Sequence, residues 1–125
     1  MADINTTFSL RSTTISSSAL NLTDSDQIDV QNPIQGLSRK TVGTSGDTEI
    51  IANSESAKMY VYLKNLDTTN FITVKTTDQA DADSFAILHP AELMFFCLPA
   101  TTGLHLLADT ADCIIEYALF TKGTT

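Results

Sequence analysis

The sequence predicts an all-β protein: an antiparallel β-sandwich preceded by an extended polar N-terminal arm. From Gly36 onward, about eight short β-rich segments alternate with turn residues, at the spacing typical of sandwiches and barrels. No window of the chain shows the apolar periodicity of a long amphipathic helix. A chain of 125 residues has the size of one domain, and we divide it into an arm or edge region, residues 1–35, and a β-sandwich domain, residues 36–125.

The first 35 residues are rich in Ser, Thr, Asn, Asp and Gln, and most of their large apolar side chains come in pairs two residues apart. Each pair fits a short strand with one buried face. The polarity between the pairs favours an arm or an edge region over the centre of the core, and such a segment can become ordered on assembly. The pairs are Phe8 with Leu10, Leu20 with Leu22, and Ile28 with Val30.

The stretch 59–75 predicts a β-hairpin. Apolar residues at positions 59, 61 and 63 alternate with Tyr60, Tyr62 and Lys64, which is the period of a half-buried strand. Turn-forming Asn, Asp and Thr residues follow at 65–70, and a second β-rich segment comes after them. The two tyrosines therefore lie on the face opposite the apolar residues, where they either anchor an interface or pack beneath the arm or a second sheet.

The other strands are predicted by apolar alternation and by the residues that stop them. Pro90 and Pro99 cannot donate a ladder hydrogen bond, so a strand ends before each of them. The segment 93–98 is apolar on both faces, although one face of an antiparallel sandwich usually meets water; a subunit interface or a covering arm would explain this. The predicted strands of the domain are residues 36–42, 48–52, 59–64, 71–75, 84–88, 92–98, 104–108 and 112–120.

Composition argues against several classes of partner. Seven basic and fifteen acidic residues give a formal charge of −8, whereas binding to nucleic acid or to an anionic membrane needs clustered Lys and Arg. No secretory signal is visible, and the longest apolar run is too short to span a bilayer. We therefore expect synthesis in a cytoplasm, no nucleic-acid or membrane partner, and Cys97 and Cys113 as buried free thiols; a disulfide between neighbouring strands is the alternative.

Two groups of side chains have metal-binding chemistry. His89, Cys97, His105 and Cys113 are a chemically suitable zinc set, but structural zinc sites bring their ligands in close sequence pairs, which are missing here. The acidic stretch 78–83 could bind calcium, but it lacks the EF-hand order and its glycine. We expect two thiols, two ordinary histidines and a solvated acidic loop, and hence no metal and no cofactor.

No catalytic arrangement is evident in the sequence. A G-x-S-x-G motif does not occur, and the five glycines are scattered rather than gathered in a phosphate-binding loop. Cys97 lies in an apolar run, where burial raises the pKa of a thiol and lowers its reactivity. Glu92 and Glu116 could act as an acid–base pair only if the fold brought them together. We predict that the protein is not an enzyme.

Four segments of the second half of the chain form a set of motifs: Y-V-Y-L-K-N-L-D-T-T-N-F at 60–71, L-H-P-A-E at 88–92, L-H-L-L-A-D-T-A at 104–111 and E-Y-A-L-F at 116–120. Together they resemble small virion proteins of tailed bacteriophages, which have a Y-hydrophobic-K-N-x-D-x-T-N hairpin, a hydrophobic-x-P-G-E turn and a closing E-Y-A strand. The resemblance covers residues 58–122. Ala91 stands where that turn usually has glycine.

This resemblance implies a structural protein of the virion, either a head decoration (cement) protein or a component of the neck, tail or fibre. It implies a small, jelly-roll-like β-sandwich, often a homotrimer, with the major capsid protein or another virion protein as partner. We expect a subunit interface at Tyr60, Tyr62, Phe95 and Phe120. We expect the arm to contact the capsid through Asp3, Ile4, Phe8, Leu10 and Ile15. The alternative is a receptor- or glycan-binding module of the tail or fibre.

Overall fold

A computed structural model describes residues 2–12, 20–32, 36–76 and 84–123. All strand pairs in these ranges are antiparallel, so the predicted all-β antiparallel class is confirmed. The described residues contain no helix long and apolar enough to cross a bilayer. Their strands are β1 (Ala2–Ser12), β2 (Leu20–Val30), β3 (Ser38–Val42), β4 (Thr48–Ile51), β5 (Met59–Asn65), β6 (Ile72–Lys75), β7 (Ser84–Leu88), β8 (Leu93–Leu98), β9 (Leu104–Ala108) and β10 (Cys113–Thr121).

The chain divides into two compact units, Met1–Ile34 with Gly123–Thr125, and Gln35–Lys122. In the first unit, β1 and β2 pair along their whole length, from Ala2 opposite Val30 to Ser12 opposite Leu20. The structure thus has one long hairpin where the sequence predicts short strands in an extended arm. The polar residues between the apolar pairs keep the period of two, and Thr and Ser suit strands whose outward face meets water.

The second unit contains eight strands in two sheets, with strand orders β3-β10-β5-β8 and β4-β9-β6-β7. The pairings are nested: β3 pairs with β10, β4 with β9, β5 with β8, and β6 with β7. Both sheets contribute to one apolar core, as expected of a β-sandwich. Its buried residues are Val42, Ile51, Val61, Leu63, Ile72, Val74, Leu88, Leu98, Leu104, Leu106, Ala108, Cys113 and Ile115.

The loop between β5 and β6 is built around a buried asparagine. The Asn65 Nδ2 atom donates to the backbone oxygens of Asn70 and Leu88, at 2.9 and 3.0 Å, and its Oδ1 accepts from the Asp67 amide at 2.9 Å. The Asp67 carboxylate accepts from the amides of Thr69 and Asn70, and these bonds lower the pKa of Asp67. The K-N-x-D-x-T-N motif therefore specifies a loop whose backbone groups are bonded by side chains.

The turn between β7 and β8 contains a residue in the left-handed region. Ala91 has a φ of 68°, although the site suits glycine because a Cβ atom crowds the backbone there. The turn is held by the His89 amide, which donates to Glu92 Oε1 at 2.7 Å, and by the Ala91 amide, which donates to the Asn65 oxygen at 3.0 Å. The turn therefore forms with Ala91 in place of the glycine of the P-G-E pattern, and the backbone is strained at Ala91.

We expect Ala91→Gly to raise the free energy of unfolding by about 0.5–1 kcal/mol, because glycine adopts this φ without steric cost. Chemical denaturation of the purified variant and of the parent chain measures the difference. Ala111→Gly is the matched control: Ala111 is also exposed but is not among the described residues with positive φ, so it should lose stability. Equal losses in both variants would contradict the strain at Ala91.

Candidate functional site: the aromatic face

The outer face of the sheet β3-β10-β5-β8 carries a group of large apolar side chains. On β5, Val61 and Leu63 are fully buried in the core, so the alternating Tyr60 and Tyr62 point outward. Strand register places Tyr62 between Ala118 and Phe95, and Tyr60 between Phe120 and Cys97. We call this surface the aromatic face; it consists of Tyr60, Tyr62, Leu93, Phe95, Cys97, Ile114, Ala118 and Phe120.

Two aromatic rings at the centre of the aromatic face stack on each other. The ring centroids of Tyr60 and Phe95 are 5.9 Å apart and their planes differ by 2°. The Lys122 ammonium lies 6.0 Å from the centroid of the Tyr60 ring. Stacked aromatic pairs and a nearby cation favour fixed ring orientations, so this part of the surface is pre-organised for a flat or aromatic contact.

A polar group lies beside Tyr62 within the aromatic face. The Tyr62 hydroxyl donates to Glu116 Oε1 at 3.2 Å, and an Arg39 guanidinium nitrogen lies 3.5 Å from Glu116 Oε2. Burial of the hydroxyl, together with its bond to Glu116, raises the pKa of Tyr62. This arrangement orients the Tyr62 ring and places a charged group within the aromatic face, between Ile114 and Ala118 on β10.

Several large apolar side chains of this face are accessible to solvent. Leu93, Phe95 and Ile114 are 58%, 42% and 41% exposed. Contiguous exposed apolar surface in a protein of this size marks an interaction site. The four side chains predicted to form a subunit interface, Tyr60, Tyr62, Phe95 and Phe120, all lie here, and their role in that interface stays a prediction.

Sequence reasoning missed part of the aromatic face and misjudged one cysteine. Cys97 was expected to be a buried thiol, but it is exposed. It lies two positions after Phe95 on β8, so its side chain is on the same outward face of the sheet. Leu93 and Ile114 also belong to the face, although neither was predicted as an interface residue. The sequence signal for Leu93 was the apolar character of both faces of the segment 93–98. For Ile114 it was the alternation along the predicted strand 112–120, which places Ile114 on the same face as Phe120.

The residues predicted to contact the capsid lie on both faces of the hairpin. Ile4, Phe8 and Leu10 share one face of β1, whereas Asp3 lies on the other face, opposite Asp29. A hydrogen bond with Asp29 raises the pKa of Asp3. Ile15 lies outside the described residues.

The four residues of the zinc set are distributed over the second unit. His89 is in the exposed turn before β8, Cys97 is on the aromatic face, and Cys113 is part of the core. His105 is buried, and its Nε2 atom lies 2.9 Å from Asn53 Oδ1. Over the described ranges, no three His, Cys, Asp or Glu side chains come together as a metal site. The acidic stretch 78–83 lies outside those ranges.

A buried ion pair, which the sequence does not predict, lies in the other sheet. Lys75 Nζ is 3.3 Å from Asp47 Oδ1, and the two side chains are only 4% and 6% exposed. Asp47 Oδ2 has no hydrogen-bond partner among the described residues. Lys75 stands opposite His105 in the strand register, so two buried polar side chains occupy neighbouring positions. Such a pair is costly to bury and is sensitive to the loss of either partner.

Comparison with known protein families gives no matching family, and comparison with curated proteins gives no matching sequence. The resemblance to phage virion proteins therefore depends on the motif residues alone. Two of those motifs have structural roles, in the loop around Asn65 and in the turn at Ala91. The aromatic face and the hairpin are the surfaces on which a functional proposal can be built.

Proposed function

We propose that this protein is a non-enzymatic structural component of the tailed-bacteriophage virion, a decoration protein that stabilises the head shell. The observation that carries the proposal is the aromatic face, where four side chains separated by up to 60 positions along the chain form one apolar surface. We propose that this surface joins copies of the chain, with a homotrimer as the favoured assembly. Binding only the assembled shell stabilises that shell by mass action, and several linked contacts add avidity.

We also propose that the unit Gln35–Lys122 is a jelly roll. In that fold a long two-stranded ribbon wraps into two four-stranded sheets. The first strand therefore pairs with the last, the second with the second-to-last, and so on to the two middle strands. The nested pairings of β3 with β10, β4 with β9, β5 with β8 and β6 with β7 support this topology. Jelly rolls are frequent in viral shells, which agrees with the proposed location.

Quantitative mass spectrometry of purified virions tests the decoration role by counting this chain against the major capsid protein. A copy number of the same order as the capsid protein is expected of a decoration protein. A small fraction of that number would favour the neck, tail or fibre. Absence of the chain from the particle would overturn the virion proposal.

Phe95→Asp is expected to weaken self-association at least tenfold, because it places a charge in the apolar surface and removes the ring that stacks on Tyr60. Analytical ultracentrifugation over a concentration series measures the dissociation constant. Ile87→Asp is the matched control, since Ile87 is an equally accessible apolar residue, 51% exposed, on a strand of the other sheet. A monomeric parent chain would overturn the proposed self-association. Equal association of the two variants would mean that the subunit interface does not involve the aromatic face.

The second candidate function is glycan or receptor binding by a tail or fibre module. The parallel, accessible rings of Tyr60 and Phe95 are the observation that favours it, since sugars stack on exposed aromatic rings. A glycan array separates the two candidates. Saturable binding that Phe95→Asp abolishes would favour the receptor-binding function, especially together with a low copy number in the particle.

A further inference from the structure

The two faces of the hairpin β1–β2 differ completely in chemistry. One face carries only polar side chains, such as the bonded pairs Ser9 with Thr23 and Ser25 with Thr7. The opposite face, which we call the docking face, carries nearly all the apolar side chains of the hairpin. The docking face consists of Ala2, Ile4, Thr6, Phe8, Leu10, Ser12, Leu20, Leu22, Asp24, Asp26 and Ile28; Val30, at one end of the same side of β2, is buried.

The half of the docking face formed by the end of β1 and the start of β2 is open to solvent. Phe8, Leu10, Leu20 and Leu22 are 54%, 46%, 45% and 46% exposed, and Leu10 and Leu22 are directly opposite each other. These four accessible large apolar side chains lie together on one ribbon, and exposed apolar patches of this kind are often functional. A two-stranded hairpin is only marginally stable in water, so it benefits from a surface that covers this patch.

Two carboxylates accompany the apolar side chains on the docking face. Asp24 stands directly opposite Phe8, and Asp26 opposite Thr6. Arg11 is the only basic residue within β1 and β2, and it lies on the polar face, opposite Asn21. The docking face is therefore both apolar and acidic and offers no cation of its own.

This charge pattern decides which occupant the docking face fits. If two copies packed together through it, both pairs of Asp24 and Asp26 would enter an apolar interface without a cation, which is costly. A protein with an apolar groove and Lys or Arg side chains beside it would bury the leucines and pair with the carboxylates. The formal charge of −8 for the whole chain favours the same kind of partner.

We propose that the docking face of the hairpin binds an apolar groove flanked by Lys or Arg on the shell protein, and not a second copy of this chain. This inference rests on the proposed decoration function. The two surfaces then have different roles: the aromatic face joins copies of the chain, and the docking face attaches them to the shell. It also excludes Asp3 from the shell contact, because Asp3 lies on the polar face.

The test measures binding of the full-length chain to empty shells assembled from the major capsid protein alone. The variant Asp24→Asn with Asp26→Asn changes the net charge by +2 on the docking face. The control variant Thr23→Lys with Ser25→Lys also changes it by +2, on the polar face of the same strand. We expect the first to lose affinity about tenfold or more and to weaken the salt dependence, and the control to bind within about twofold of the parent.

A second variant, Leu10→Ser with Leu22→Ser, tests the apolar part of the docking face and should also lose at least tenfold in affinity. Hydrogen exchange of the β1 and β2 amides shows whether the hairpin remains formed. If the parent chain binds the shell and neither docking-face variant binds more weakly, this inference is wrong, but the decoration function is not contradicted. A parent chain that binds no shell overturns both. If the leucine variant instead dissociates the homo-oligomer, the occupant is a second copy and the inference is wrong.

Discussion

Lys75→Met is expected to lower the free energy of unfolding by about 3–5 kcal/mol, because it leaves a buried carboxylate without its cation. The Lys75 and Asp47 side chains are 4% and 6% exposed, and water cannot replace the lost ammonium. Asp47 Oδ2 has no partner among the described residues, so this carboxylate depends strongly on the Oδ1 contact. Urea denaturation followed by far-ultraviolet circular dichroism measures the change, since the chain lacks tryptophan.

The exposed pair of Arg39 with Glu116 is the matched control for this measurement. Arg39 is 68% exposed in that pair, so Arg39→Met should cost less than about 1 kcal/mol. The double variant Lys75→Met with Asp47→Ala should regain much of the stability lost in the single variant, because no charge then remains buried. If the double variant loses more free energy of unfolding than the two single variants lose together, the buried pair is not the source of the cost.

Asn65→Ala is expected to cost about 3 kcal/mol, the second of the two largest effects. The side chain is fully buried, and its removal leaves two backbone oxygens and one backbone amide without their bonds. The loss should disturb the β5–β6 loop more than the rest of the unit. Denaturation gives the global value, and hydrogen exchange of the Asp67 amide reports the local opening.

Asn70→Ala provides the comparison for Asn65→Ala within the same loop. Its side-chain oxygen accepts one exposed bond, from the Thr110 hydroxyl at 2.7 Å, so the substitution should cost about 1 kcal/mol or less. Equal costs at the two positions would mean that the bonds of Asn65 do not support the loop. Unchanged exchange of the Asp67 amide in Asn65→Ala would lead to the same conclusion.

The strands of the second unit could be predicted from the sequence because their burial alternates with a period of two. On β5, Val61 and Leu63 are buried and Tyr62 is not, and this contrast is visible in the residue types themselves. The hairpin β1–β2 was harder to recognise. Much of its docking face meets water, so Thr6 and Asp26 occupy positions that a buried sheet would fill with apolar residues.

Sheet order and the aromatic face depend on contacts between distant parts of the chain. The outward direction of Tyr60 and Tyr62 follows from alternation, but the meeting of Tyr60 with Phe120 depends on the register between β5 and β10. The ion pair was missed for a related reason. A lysine in a strand is usually solvent-exposed, and nothing near Lys75 in the sequence indicates that Asp47, 28 residues earlier, is beside it.

The nested pairing of the second unit has a consequence for how the protein is made. Strand β10 lies between β3 and β5 in its sheet, and β3 pairs with no other strand among the described residues. The first strand of the unit therefore has no partner until β10 has left the ribosome. Strands β4 and β5 likewise wait for β9 and β8, so their apolar residues stay accessible during synthesis. Folding must wait for this long-range pairing, which is slow. The nascent chain is thus expected to need protection from aggregation until its last strand is released.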